Sequence, residues 1–137
     1  MAHWLMKSEP SSYSWQQLEK DGRTNWSGVR NFQASNNLKA MKLDDRAFFY
    51  HSNEGLAVVG IMTIVKEYYP DPSDESGRFG QVDVAPLRPF AKPVDLTAIK
   101  AEPKLADMLL VRHSRLSVMP VDPGAWKLIC KMGGTAP

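Results

Sequence analysis

Cysteine is almost absent from this sequence, and its scarcity limits the kinds of site that the chain can build. Cys130 is the single cysteine among 137 residues. One thiol cannot form an intrachain disulfide, and a four-cysteine zinc site is excluded. The three histidines, His3, His51 and His113, lie too far apart for the spacing of metal-ligand motifs. We therefore expect a reducing compartment, no metal and no cofactor.

Long apolar runs are missing as well. No stretch approaches the roughly 18 apolar residues that a membrane-spanning helix needs. The N-terminus also lacks the basic region followed by an apolar stretch that marks a signal peptide. We expect a cytoplasmic protein that does not bind a membrane.

An excess of charge of either sign is small. The chain has 17 basic and 15 acidic residues, which gives a formal net charge of +2. Proteins that hold nucleic acid by charge alone are far more basic than this. Any contact with phosphate must therefore come from a local patch of basic side chains.

Recognisable catalytic motifs are missing too. The sequence contains no phosphate-binding loop, no GxSxG elbow and no HExxH motif. Cys130 lies next to Ile129 on the inner face of a predicted helix, so we interpret it as a core residue and not as a nucleophile. These absences favour a binding module over an enzyme.

What the sequence does contain is the pattern of one α+β domain spanning residues 1–137. Its apolar fraction of 43% is typical of a globular chain, and its length suits a single core. Strand-like runs occupy residues 3–6, 46–52, 56–66, 81–90 and 115–121, and helical patterns occupy residues 15–20, 31–41, 104–110 and the segment after Asp122. About five to six mostly antiparallel strands with short flanking helices predict a small sheet that curls into an open β-barrel.

Three segments combine polar groups in a way that a purely structural role does not require. They are WLMKSEP at residues 4–10, WSGVRN at residues 26–31 and RLSV at residues 115–118. Glycine allows close backbone approach, and a tryptophan face can stack on a planar base. The alternative is that Trp26 fills the core and that Arg30 forms an ion pair with Glu9.

Together with DRAFFYHSNEGLAVVGIMTIVKEYYPDP and PVDLTAIK, these segments resemble the EVE domain family, in order and over nearly the whole chain. The resemblance implies a PUA-like open β-barrel related to YTH and ASCH domains. It also implies binding of nucleic acid with modified bases, notably modified cytosine, in a pocket that accepts an extruded base. The residues that the resemblance assigns to this pocket are Lys7, Ser8, Glu9, Trp26, Gly28, Val29, Arg30, Asn31, Tyr50, His51, Ser52, Arg115, Leu116 and Ser117.

Two kinds of contact are expected in such a pocket. Trp26 would stack on the base, while Ser8, Glu9 and Asn31, or backbone groups, would meet its edge. The basic side chains Lys7, Arg30 and Arg115 would attract phosphate. Many relatives have a tryptophan before the strand that begins near residue 80, where this chain has Phe79, so Phe79 is a candidate substitute at the rim.

Two other classes of function remain open at this point. A hydrolase acting on a modified nucleotide or RNA, as in ASCH-like relatives, would use Glu9 as general base with Lys7 or His51 as its partner. A protein-interaction domain would have only an incidental pocket. For the reader domain itself we expect a monomer that works with an unidentified effector protein.

Overall fold

The domain is organised around one open six-stranded sheet. The computed structural model describes all residues 1–137. The strands in chain order are β1 His3–Ser8, β2 Thr24–Asn25, β3 Arg46–His51, β4 Ala57–Pro70, β5 Gly80–Asp95 and β6 Val118–Pro120. Their spatial order is β2-β5-β4-β3-β1-β6. Only β1 and β3 pair in parallel, and all other neighbours are antiparallel. The predicted α+β fold, an open β-barrel of about five to six mostly antiparallel strands, is confirmed, and the sheet does not close fully.

Short helices flank this sheet. They are α1 Trp15–Asp21, α2 Phe32–Ala40, α3 Leu96–Ala101, α4 Leu109–Arg112 and α5 Pro123–Met132. The side chains of Ser14, Asn31, Asp95 and Asp122 each accept a hydrogen bond from an amide in the first turn of the helix that they precede. Such caps satisfy amides that have no partner within the helix, which explains why the helices begin where they do. No helix is long and apolar enough to cross a bilayer.

The structure differs from the sequence prediction where local signals are weak. The helix predicted over residues 104–110 is divided into a 3-10 turn at Pro103–Leu105 and α4. In the RLSV segment only the last residue belongs to β6. The strand predicted over residues 81–90 is longer in the structure, Gly80–Asp95, and its register with β4 shifts several times. Two of its prolines fall at these irregular places, since proline cannot donate a ladder hydrogen bond.

Aromatic packing holds the sheet and the last helix together. The ring of Phe48 on β3 stacks on Trp126 of α5 at a centroid distance of 3.8 Å. Cys130, on the same helix, is fully buried, and burial raises the pKa of its thiol to about 11. It is a core residue, as predicted.

Helix α1 rests directly on the sheet. A Cβ atom at Gly60 of β4 would lie 2.6 Å from the indole of Trp15, so the glycine provides the space for that ring. The Trp15 ring also meets Phe49 edge-on, with centroids 5.6 Å apart. This contact fixes the start of α1 next to the end of β3.

Candidate nucleic-acid interface

The candidate site forms at the edge of the sheet where three neighbouring strands meet. β1 lies between β3 and β6 in the sheet. Because β1 and β3 are parallel, their carboxyl ends lie at the same edge, with Lys7 opposite Tyr50 and Ser8 opposite His51. On the other side of β1, the Lys7 amide donates to the carbonyl of Ser117. Three of the predicted segments are thus brought together by strand pairing.

The first cavity lies beside the end of β1 and has a volume of about 560 Å³, which is within the usual range for a small-ligand site. Most of its lining is polar. The lining residues are Lys7, Ser8, Glu9, Ser12, Tyr13, Thr24, Asn25, Trp26, Ser27 and Gly28. Both residues of β2, Thr24 and Asn25, line this cavity. Their pairing with β5 holds them in place.

Trp26 belongs both to the wall of the first cavity and to the core. Its ring meets Phe49 edge-on with centroids 5.5 Å apart, and only 8% of the residue is exposed. Its amide donates to the carbonyl of Val82 on β5. Trp26 therefore fills the core, as the alternative predicted, and it also lines the cavity.

A second cavity of about 430 Å³ adjoins the first, and a groove of about 360 Å³ adjoins the second. Lys7 and Glu9 line both cavities, while Ser114 and Arg115 line both the second cavity and the groove. Of the predicted site residues, the second cavity also has Tyr50, Ser52 and Ser117, and the groove also has Asn31 and Leu116. Val29, Arg30 and His51 line none of the three.

Lys7 carries a positive charge that no carboxylate neutralises. Its Nζ donates to the carbonyl oxygen of Ser114 at 2.8 Å and lies 5.8 Å from the centre of the Tyr50 ring. Burial lowers the pKa of Lys7 and raises that of Tyr50 to about 12. At neutral pH the Tyr50 hydroxyl stays protonated. An anionic ligand placed between the two cavities would restore the stabilisation that Lys7 loses on leaving water.

Asp71 holds the WSGVRN segment in place, although it is not among the predicted site residues. Its carboxylate oxygen Oδ2 accepts from the Gly28 amide at 2.9 Å and from the Arg30 guanidinium at 3.1 Å. Its Oδ1 accepts from the amide and hydroxyl of Ser73. Burial alone would raise the pKa of Asp71, but these hydrogen bonds outweigh it and hold the pKa well below its ordinary range.

The Asp71 contacts correct the expected partner of Arg30 and hold the backbone at Gly28. The alternative in which Arg30 pairs with Glu9 is wrong, because the ion-pair partner of Arg30 is Asp71. Gly28 has a φ of 82°, a conformation that other residues adopt only with strain. The local signal at Asp71 was its turn composition, and the turn exists, yet the carboxylate faces inward to partners far away in sequence.

Phe79, the candidate substitute for a rim tryptophan, lies next to this cluster and outside the lining of the first cavity. Its ring contacts the exposed Phe32 at a centroid distance of 4.9 Å and lies beneath the Arg30 guanidinium. It therefore supports Arg30.

His51 and Asn31 have structural partners that restrict their chemistry. The Nε2 atom of His51 accepts from the Trp15 amide at the start of α1 at 3.1 Å, and burial lowers the pKa of His51. A ring nitrogen that accepts this bond is not available as the proton-transfer partner of Glu9. Asn31 uses its Oδ1 to cap α2, which leaves its amide NH₂ group free of intramolecular bonds.

An open mixed sheet with adjoining polar cavities and a tryptophan in one wall defines a small ligand-binding domain. The family model of the EVE domain matches residues 2–132, and the chain belongs to this family. Mouse thymocyte nuclear protein 1 is 36% identical over 169 aligned residues, covering 98% of this chain and 75% of that protein.

Two solved structures are similar over nearly their full length. A Rhodopseudomonas palustris protein solved by NMR is 54% identical, with a TM-score of 0.93 and coverage of 98% of this chain and 94% of that one. Human THYN1 protein, solved in complex with DNA containing 5-methylcytosine, is 33% identical, with a TM-score of 0.92 and full coverage of both chains.

Replacing Asp71 by Asn should loosen the WSGVRN loop. An NH₂ group cannot accept from the Gly28 amide and the Arg30 guanidinium, so we expect the free energy of unfolding to fall by about 1.5–3 kcal/mol, the range for hydrogen bonds to charged groups. Urea denaturation measures the loss. Glu75→Gln is the matched control, because Glu75 lies in the same loop and its side chain makes no hydrogen bond. Equal stability of the two variants would contradict this role of Asp71.

The free energy of unfolding should also fall on mild acidification. The pKa of His51 is below 6.5 in the folded protein, so the folded state binds the proton less well than the unfolded state. The contribution of neutral His51 to the free energy of unfolding is complete above about pH 6.5 and is lost as the pH falls below that value. Asp71 stays ionised over this range.

Denaturation curves at about pH 8 and pH 5 test this dependence. His51→Gln keeps an acceptor for the Trp15 amide and should reduce the difference in stability, with a remainder from His3, whose pKa is also lowered, mainly by burial. A full pH dependence in His51→Gln would show that His51 is not its source.

Proposed function

We propose that this domain is a non-catalytic reader that holds a modified base of a nucleic acid, most specifically a 5-substituted cytosine in DNA, in the first cavity. The observation that carries the proposal is the cavity between the carboxyl end of β1 and the segment from Thr24 to Gly28, with Trp26 in its wall. Membership of a family in which human THYN1 was solved with 5-methylcytosine DNA supports the choice of base. The same proposal includes a cytoplasmic monomer and a separate effector protein.

Three side chains that line the first cavity have acceptor oxygens that suit the amino group of cytosine. The Ser8 hydroxyl donates to the carbonyl of Tyr13 at 2.6 Å, so its oxygen is left to accept. The Asn25 amide donates to Gln81, which leaves Oδ1 of Asn25 as an acceptor. The Glu9 carboxylate, which only accepts, makes no hydrogen bond within the protein. Cytosine offers an exocyclic N4 amino donor, whereas thymine presents an acceptor at that position.

Extrusion of the base sets the order of affinity among ligands. Removing a base from a paired duplex costs a few kcal/mol, and the cost is smallest where the base is single-stranded or mismatched. The reader should therefore bind modified single strands at least as tightly as matched duplexes.

The modified position should improve binding by a modest factor. One buried methyl group contributes about 0.8 kcal/mol, and a fitted pocket gains about 1–3 kcal/mol, so we expect 5-substituted cytosine to bind about 4- to 200-fold more tightly than plain cytosine. Titrations of oligonucleotides that differ only at the 5-position measure the ratio. Thymine at the same position is the control for the amino group. Equal affinities for plain and substituted cytosine would remove 5-substituted cytosine as the ligand.

A further inference from the structure

The groove beside the second cavity has the chemistry of an anion site. It is lined by Asn31, Gln33, Arg112, His113, Ser114, Arg115 and Leu116, and none of these is acidic. Two guanidinium groups, one imidazole, two amides and a hydroxyl are thus concentrated in about 360 Å³. On a chain whose net charge is only +2, this is a marked local excess of positive charge and of hydrogen-bond donors.

Most of these donors have no partner within the protein. The side chains of Arg115 and Gln33 form neither a hydrogen bond nor an ion pair, and Asn31 keeps its NH₂ group free. Arg112 has one ion pair, with Asp107 at 3.3 Å, in which both side chains are largely exposed. Exposed pairs of this kind are weak, so a ligand can displace Asp107 at little cost.

The groove is continuous with the candidate base site. It shares Ser114 and Arg115 with the second cavity, which in turn shares Lys7 and Glu9 with the first. The bond from Lys7 Nζ to the Ser114 carbonyl joins the two ends of this path. A second bond, from the Asn37 amide to the Val118 carbonyl, fixes α2 against β6 and so fixes the two walls of the groove.

We propose that the groove binds a backbone phosphate of the same nucleic-acid strand whose modified base occupies the first cavity. This inference rests on the proposed function, and it adds a site to it. Phosphate oxygens are acceptors with negative charge, which matches guanidinium and amide donors, and arginine can bind them through two parallel hydrogen bonds. The strand would pass Lys7 and the second cavity on its way between the two sites.

The test is a charge placed in the groove without damage to the fold. Gln33 is exposed, is the second residue of α2 and lines the groove. Gln16 is exposed, is the second residue of α1 and lines neither the cavities nor the groove. A glutamate near a helix N-terminus is favourable, so Gln33→Glu and Gln16→Glu should both melt at or slightly above the wild-type temperature.

Binding should separate the two variants. With a single strand carrying 5-methylcytosine at its centre, Gln33→Glu should bind about two- to fivefold more weakly than wild type at low salt, the factor that one exposed charge pair contributes. Gln16→Glu should bind like wild type. Gln33→Lys should bind more tightly than wild type. Equal affinities of the two glutamate variants would overturn the proposal.

A comparison of plain with methylated strands distinguishes failure of the phosphate site from failure of the base reader. Gln33→Glu should weaken plain and methylated strands by the same factor and leave their ratio unchanged. A wild-type ratio of one, together with weaker binding by Gln33→Glu, would reject the base reader but keep the phosphate site. Two further strands carry the methylated cytosine at the 5′ end or at the 3′ end. Gln33→Glu should weaken the binding of one of these strands and leave the binding of the other unchanged.

Inorganic phosphate tests the source of the anion. If the groove served free phosphate, NMR signals of His113 would shift with inorganic phosphate and not with the oligonucleotide, which would overturn the assignment to a strand. The proposal predicts that the oligonucleotide shifts them at a far lower concentration than inorganic phosphate does.

Discussion

The parallel pairing of β1 with β3 is the constraint on which the site depends. It sets the ends of both strands at one edge of the sheet, with Ser8 opposite His51. Parallel neighbours cannot be joined by a tight turn and need a long connection. Here that connection contains α1, β2 and α2, and it brings Trp26 and Gly28 to the same edge. The long connection that the parallel pairing requires therefore also supplies one wall of the first cavity.

Charge in the site is arranged locally and does not reflect the whole molecule. Asp71 neutralises Arg30 and uses it to fix the loop, so one of the three expected phosphate-binding cations is occupied. Lys7 and Arg115 have no acidic partner and lie along the path from the first cavity to the groove. With few free cations, the affinity for unmodified strands should be low and should depend only weakly on salt. Selectivity must then come from the shape and hydrogen-bonding groups of the cavity.

What could be predicted from the sequence was what short-range patterns determine. The caps at Ser14 and Asp122 lie within three residues of the amides that they bind, and the hairpin of β3 and β4 has its turn between two strongly apolar strands. β2 has only two residues, too few for any periodicity. Arg30 and Gly28, which donate to Asp71, are 41 and 43 positions away, so nothing near Asp71 in the sequence indicates them.

The same limit applies to the candidate site, where the sequence indicates the segments but not the contacts between them. The family resemblance selected segments that strand pairing does bring to one edge, but it could not show that their side chains divide between two cavities and a groove. That division depends on side-chain direction, which alternates along a strand and is fixed only by packing. It also could not show that Trp26 is nearly buried while still lining a cavity, because the ring packs on Phe49 from a distant strand.

In the reader that we propose, the modified base lies in the first cavity against Trp26. An NOE spectrum of the protein with an oligonucleotide carrying 5-methylcytosine tests it directly, because the methyl protons report their neighbours within about 5 Å. We expect cross-peaks from the methyl group to residues that line the first cavity, with the Trp26 indole among them. Cross-peaks from the methyl group to the groove residues His113 and Leu116, with none to Trp26, would contradict it.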